Sequence, residues 1–322
     1  MKPAIIHHLN SGLIILSCIV AFFIPFELFL FSYGILGPLH YLTEIGWLHR
    51  KNYFTKGKND FIFLIIACTI IVYWNFFPTP KSYLYIANTI LFCLLASIAF
   101  VFIKDWLYRI VIFVLTAIFV GVLGKSSEFF TWAGIFLPTI IHVFIFTWAF
   151  MLYGVLKEKS LAGAISIFTL VVCSVVLIVV QPSGLQYEVS KYIQDSYGPF
   201  RQLNFSMINF FNLDHLTEVT DVFTTNAGFV IMRFIAFAYT YHYLNWFSKT
   251  SVIKWHQVSK KSLVITFIIW LVSISLYIYE YSLGLKVLLF LSFLHVFLEF
   301  PLNIVSFTGI GREVIAYTKG KR

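Results

Sequence analysis

The sequence predicts an all-α integral membrane protein, a polytopic bundle of about ten transmembrane helices, and three observations carry that prediction. Of the 322 residues, 60% are hydrophobic and only 11% charged, and the mean hydropathy is +0.87. A soluble chain must show water a polar exterior, and this one lacks the residues to build it. The apolar residues fall in runs of roughly 20, the length that crosses a bilayer core about 30 Å thick. The charges collect in the short stretches between those runs.

The first run, 9–24, ends at Pro25 and leads straight through Glu27 into more apolar sequence. With no small-residue cleavage site behind it, it reads as an uncleaved, short first span. Further runs cover 27–48, 60–77, 83–103, 105–123, 129–153, 161–181, 227–248, 262–281 and 285–308, and only Lys104 and Asp105 mark the step from the fourth to the fifth. Arg50, Lys51, Lys56 and Lys58 follow the second run, and Lys157 and Lys159 the sixth. Lys249, Lys254, Lys260 and Lys261 follow the eighth, and Arg312, Lys319, Lys321 and Arg322 the tenth. Ten crossings put all four clusters on one side, which the positive-inside rule makes cytoplasmic together with both termini. The expected location is a bacterial cytoplasmic (inner) membrane. Trp47, Trp106, Trp246 and Trp255 fall near inner ends of runs, and Trp74 and Trp132 near outer ends, as interfacial anchors do.

The long stretch 182–226 falls outside, with Glu188, Asp195, Asp214, Glu218 and Asp221 against Lys191 and Arg201. Its aromatic residues, among them Tyr187, Tyr192, Phe200 and Phe223, alternate with polar ones. That pattern suits short amphipathic helices, either resting on the membrane or forming a lid. No repeat or low-complexity linker divides the chain, so 1–322 reads as a single membrane domain.

The net charge of +9 belongs to the interhelical loops and does not imply a nucleic-acid partner. Cys18, Cys68, Cys93 and Cys173 lie inside runs without CxxC spacing, and read as small packing residues. Phosphate-binding glycine loops and nucleophile elbows are absent, as are the dense histidine boxes of membrane desaturases. The expected partners are the lipid bilayer and a lipophilic small molecule; the sequence names no protein partner.

An ionisable side chain inside a bilayer costs several kcal/mol and therefore needs a partner or a function. Five of the nine histidines, His7, His8, His49, His215 and His256, fall in loops or at borders. His40, His142, His242 and His295 fall inside the second, sixth, eighth and tenth runs, all crossing in the same direction. At about 1.5 Å per residue their depths agree to within roughly 8 Å. Glu44 follows His40 and Glu299 follows His295 at i+4, which places acid and imidazole on one helix face. Asn303 extends the face of His295, and Tyr239 and Tyr243 flank His242. Helix breakers crowd the same places: Gly37 and Pro38, Pro138, and Pro301. Arg109 and Arg233 read as interfacial or loop-facing, and Glu280 as reaching water at an outer end.

Taken singly, each buried histidine is an ordinary interhelical hydrogen-bonding residue. Taken together, the four predict metal ligation by His40, His142, His242 and His295, with Glu44 and Glu299 as catalytic acids that orient ligands or share coordination, and Tyr239, Tyr243 and Asn303 around them. Neutral imidazoles without thiolates suit Fe(II) holding positions for dioxygen; zinc and a single haem are the alternatives. One histidine per helix argues against two stacked haems.

The early element Gly37-Pro38-Leu39-His40 with Glu44 resembles that of the bacterial membrane-embedded carotenoid-cleaving dioxygenases of the Brp/Blh type. The resemblance covers this element and the hydropathy profile. It implies Fe(II) held by histidines of several spans and oxidative cleavage of β-carotene, with His40 as an early ligand and His242 as a late one. This chain departs from that pattern after His40 and around Tyr241-His242-Tyr243, where further histidines are expected. The function predicted is a metal-dependent, non-haem Fe(II) oxygenase or redox enzyme acting on a carotenoid, another isoprenoid or a lipid. A proton-coupled transporter or channel, using the His/Glu set as a relay, is the second reading, and a structural subunit of a membrane complex the third.

Overall fold

A computed structural model describes residues 3–124, 127–180, 187–249, 254 and 257–319. These residues form helices and connecting turns, with no strand among them. The sequence expectations placed on Trp255, His256, Lys321 and Arg322, and on the first residues of the external stretch, 182–186, lie outside the described residues.

Among the described residues, seven helices are long and apolar enough to cross a membrane. They are α1 (Pro3–Phe23), α5 (Ser82–Phe102), α6 (Trp106–Leu123), the Phe130–Glu158 rod, α9 (Leu161–Val179), α13 (Lys260–Tyr279) and α14 (Tyr281–Thr318). A shorter apolar helix, α4 (Asp60–Phe76), accompanies them. The first span is longer than its apolar run suggests, because helix α1 starts before His7. The surface of α6 shows its surroundings: Leu107, Leu115, Ile118 and Val122 are each at least 60% exposed. A patch of that kind is stable only against lipid or another protein.

The second run, 27–48, is not one regular helix. It consists of α2 (Pro25–Phe31), a π turn (Ser32–Leu36) and α3 (Gly37–Arg50). The eighth run, 227–248, is the helix α12 (Asn226–Ser248), which is too rich in polar residues to count among the seven.

The chain divides into two compact units, Met1–His40 with Glu158–Val287 and Tyr41–Lys157 with Leu288–Arg322. In the first, α12 is the central element. Every residue from Ala227 to Tyr243 is buried, so the helix has no outward face and packs against α1, α2 and α9. Its polar groups are held by protein: Ser32 Oγ meets Thr240 Oγ1 at 2.7 Å, and Ser248 Oγ donates to Asn10 Oδ1 at 2.8 Å. In the second unit α5 packs against α4, α6 and the π-helical segment Phe130–Phe146. Ala87, Ala96, Ser97 and Ala99 are buried on α5, and such small residues let helix backbones approach.

Two arginines correct the sequence reading, since neither faces the interface. Arg109 is 5% exposed and forms a two-pronged ion pair with Asp60, at 2.7 and 3.1 Å. Arg233 is 3% exposed, donates from Nε to the Phe22 carbonyl at 3.0 Å and lies over the Phe22 ring. Fully charged guanidinium in an apolar interior is tolerable only with such partners. Trp47 and Trp246 are likewise buried, whereas Trp106 and Trp132 are exposed.

The stretch 187–226 folds into α10 (Lys191–Tyr197), a 3₁₀ turn (Gly198–Phe200), α11 (Arg201–Phe210) and a second 3₁₀ turn (Val219–Phe223). It is pinned to the first unit by aromatic packing: Tyr197 sits edge-on to Phe26 and Phe29, and Phe223 packs on Phe26. Tyr187 donates to Glu27 at 2.5 Å. Burial, together with that carboxylate, pushes the Tyr187 hydroxyl well above its ordinary pKa. All four cysteines are buried free thiols.

Candidate metal centre

His40 enters the first unit through the π turn before it. Such a turn inserts one extra residue per turn and re-aims everything that follows, a device common at functional sites. Two side chains hold the turn, Thr240 on Ser32 and Trp270 Nε1 on the Ile35 carbonyl at 2.8 Å, and Tyr281 donates to the Leu30 carbonyl of α2 just before it at 3.1 Å. A Cβ at Gly37 would come within 3.3 Å of the Tyr243 hydroxyl and displace it by a few tenths of an ångström. The result is an imidazole, 1% exposed, whose Nε2 faces His242 Nε2 across 3.1 Å. Tyr243 lies tilted to the His40 ring and edge-on to the His242 ring, with centroids 5.2 and 5.4 Å away. Trp246 closes over His40 edge-on at 5.7 Å.

The second unit holds a matching pair. His142 comes from the π-helical segment Phe130–Phe146, in which Pro138 has no N–H to give to the backbone ladder. His295 comes from α14. Their Nε2 atoms face each other at 3.2 Å, and the residues are 2% and 6% exposed. Glu299 does not serve its own helix neighbour alone. The measured approach is to the opposite helix, with Oε2 at 3.3 Å from His142 Nδ1. The contact is an ion-pair approach by distance, and the two atoms do not meet in hydrogen-bonding geometry. Tyr41 lies over His295, with ring centroids 5.7 Å apart. Glu44 is buried on α3 and Asn303 on α14, at 3% and 1% exposure.

The structure therefore brings the four sequence-predicted histidines together as two pairs, one in each unit. Tyr243 lies against the first pair. Tyr239 stands one step back, 6.3 Å from Tyr243 and in contact with Phe29 and Tyr33. His8, His49 and His215 are exposed, and His7 meets Glu158 at 3.0 Å, so these four remain outside the site. Sequence reasoning missed Trp246 and Tyr41. Trp246 stands at i+4 from His242, a spacing that could have placed it on the same face. Nothing in the sequence marks Tyr41.

The pair geometry has a definite chemical meaning. Two imidazole nitrogens bound to one ion at about 2.1 Å, at octahedral or tetrahedral angles, stand roughly 3.0–3.4 Å apart. Both observed separations fall in that window. The same distances suit an N–H···N hydrogen bond between opposite tautomers. Comparison with protein-family models, with characterised proteins and with solved structures finds no match to this chain.

Proposed function

We propose that this protein is a membrane-embedded, metal-dependent oxygenase of the non-haem Fe(II) type that acts on a lipophilic substrate. The observation that carries the proposal is the face-to-face approach of imidazole Nε2 atoms in both histidine pairs, at 3.1 and 3.2 Å and out of contact with water. The donor set fits the group: four imidazoles and no thiolate nearby are compatible with Fe(II), with zinc or a single haem as the competing occupants. Iron(II) so held supplies a coordination position for dioxygen. This chain's own residues do the rest. Glu299 places a carboxylate 3.3 Å from His142, and the aromatic walls made by Tyr243, Trp246 and Tyr41 keep water from the nitrogen atoms. A carotenoid or another isoprenoid suits an apolar chamber, and the likeness of Gly37-Pro38-Leu39-His40 to the carotenoid-cleaving dioxygenases supports that class. The topology that goes with the proposal has ten spans, both termini on the cytoplasmic side and a bacterial inner membrane as its location.

Metal analysis of the protein purified in detergent tests the reading. The expected result is bound iron, lost in His40→Ala and in His142→Ala while helicity is retained. The number of ions per chain reads how the four imidazoles are shared. A normally folded protein that takes up no metal after anaerobic Fe(II) treatment removes the oxygenase. A proton relay is the second reading, favoured by the His142–Glu299 approach at 3.3 Å. It predicts proton flux in liposomes that stops in His142→Ala and does not depend on iron.

A further inference from the structure

Asn303 is the most isolated polar side chain in the second unit. It is 1% exposed, and neither its carbonyl oxygen nor its amide nitrogen has a hydrogen-bond partner among the described residues. Two other buried amides, Asn204 and Asn10, are engaged. Asn204 accepts from the Tyr197 hydroxyl and approaches Met232 Sδ, and Asn10 accepts from Ser248. A carboxamide stripped of water with both ends unused is destabilising, more so than a leucine of the same outline. Such a group in a native interior calls for an explanation other than packing.

Its place in the fold supplies one. His295, Glu299 and Asn303 follow one another at intervals of four on α14, so they share a helix face. Asn303 lies roughly 12 Å along the axis from His295 at about 1.5 Å per residue. A molecule lying along that face and reaching the histidines would bring another part of itself to the amide.

We infer that Asn303 is a ligand-binding residue that receives the oxygen-bearing end of the substrate, a hydroxyl or a carbonyl. The inference rests on the oxygenase reading and narrows its substrate class. The carboxamide donates from Nδ2 to a carbonyl or accepts at Oδ1 from a hydroxyl, and a pure hydrocarbon polyene offers neither. The substrate is then an isoprenoid or lipid alcohol, aldehyde or ketone, with the reacting carbons set well back from the oxygen. A helix-pairing role for Asn303 would require the hydrogen bonds that it does not make.

The test compares geranylgeraniol with the matching C20 hydrocarbon that lacks the hydroxyl, each bound to the metal-loaded protein in detergent and quantified by native mass spectrometry. The wild type should bind the alcohol about tenfold or more tightly than the hydrocarbon, because a site built to pair with a hydroxyl rejects the analogue without one. Asn303→Leu should abolish that preference by weakening the alcohol alone, keep its metal, and melt at the wild-type temperature or above it. Asn303→Ala serves as a second variant and should lose the same preference. A wild type that does not discriminate, a preference that survives in both variants, or a lower melting temperature for Asn303→Leu overturns the inference. The two readings fail separately: His295→Ala retaining its metal would sink the oxygenase, while a preference that depends on Asn303 would still stand.

Discussion

Replacing Asp60 by alanine leaves the Arg109 guanidinium, 5% exposed, with the Ile103 carbonyl at 2.8 Å and the Phe100 ring as its remaining contacts. Two charge-assisted hydrogen bonds, at 2.7 and 3.1 Å, disappear, and so does the bond from the Gly57 backbone N–H to Asp60 at 2.9 Å. Breaking a buried pair from one side costs about 3–5 kcal/mol, most of it the penalty of the stranded charge. Arg109→Leu strands the carboxylate instead, but Gly57 still donates to it, so the expected loss falls at the lower end of that range. The double variant, Asp60→Ala with Arg109→Leu, strands no charge and should recover at least about 2 kcal/mol relative to the sum of the single losses. Reversible unfolding in mixed micelles of SDS and a mild detergent, run as a double-mutant cycle, measures all four proteins. Single losses under about 1 kcal/mol, or strictly additive losses, would refute the claim that this pair secures the Asp60 end of α4 to α6.

Gly228→Ala should destabilise the first unit by about 1–3 kcal/mol, since the added Cβ collides with the Val222 backbone carbonyl, which cannot rotate away like a side chain; the same unfolding assay checks it. The 3₁₀ turn Val219–Phe223 should lose protection in acid. Hydrogen bonds from the Glu218 backbone, and then from Thr217, hold the Asp221 carboxyl below its ordinary range. Its contribution is therefore complete above the unfolded carboxylate pKa of about 3.9 and disappears as pH falls through the lower folded value. Hydrogen exchange of 217–225 should accelerate below that pH in the wild type and be fast at every pH in Asp221→Asn.

Much of this was legible in the sequence because membrane helices are written in run length and charge. The α5, α6, α9 and α13 boundaries follow their apolar runs to within a few residues. The four interior histidines stood out for the same reason, as groups too costly to leave unexplained in hydrocarbon. What the sequence hid was azimuth. Run length cannot reveal that Ser32–Leu36 winds as a π turn, because an extra residue per turn changes direction without changing composition. Spacing along one helix likewise pointed Glu299 at His295, whereas the coordinates set it against His142 from another helix. Arg109 and Arg233 were misjudged because a charged residue's burial depends on its partners, and Asp60 is 49 positions away from Arg109.

The burial of α12 on every side bears on how the protein is made. A segment carrying Arg233, His242 and Asn245 forfeits several kcal/mol when it partitions alone from a translocation channel into lipid. Synthesis runs from the N-terminus, so α1, α2 and α9, the helices that cover it, are available before α12 emerges. Its integration is then an act of assembly onto neighbours already in place rather than of solubility in oil. A glycosylation-tagged insertion assay should find 226–248 poorly integrated when it is placed in a foreign host sequence, and efficiently integrated behind its own first 180 residues.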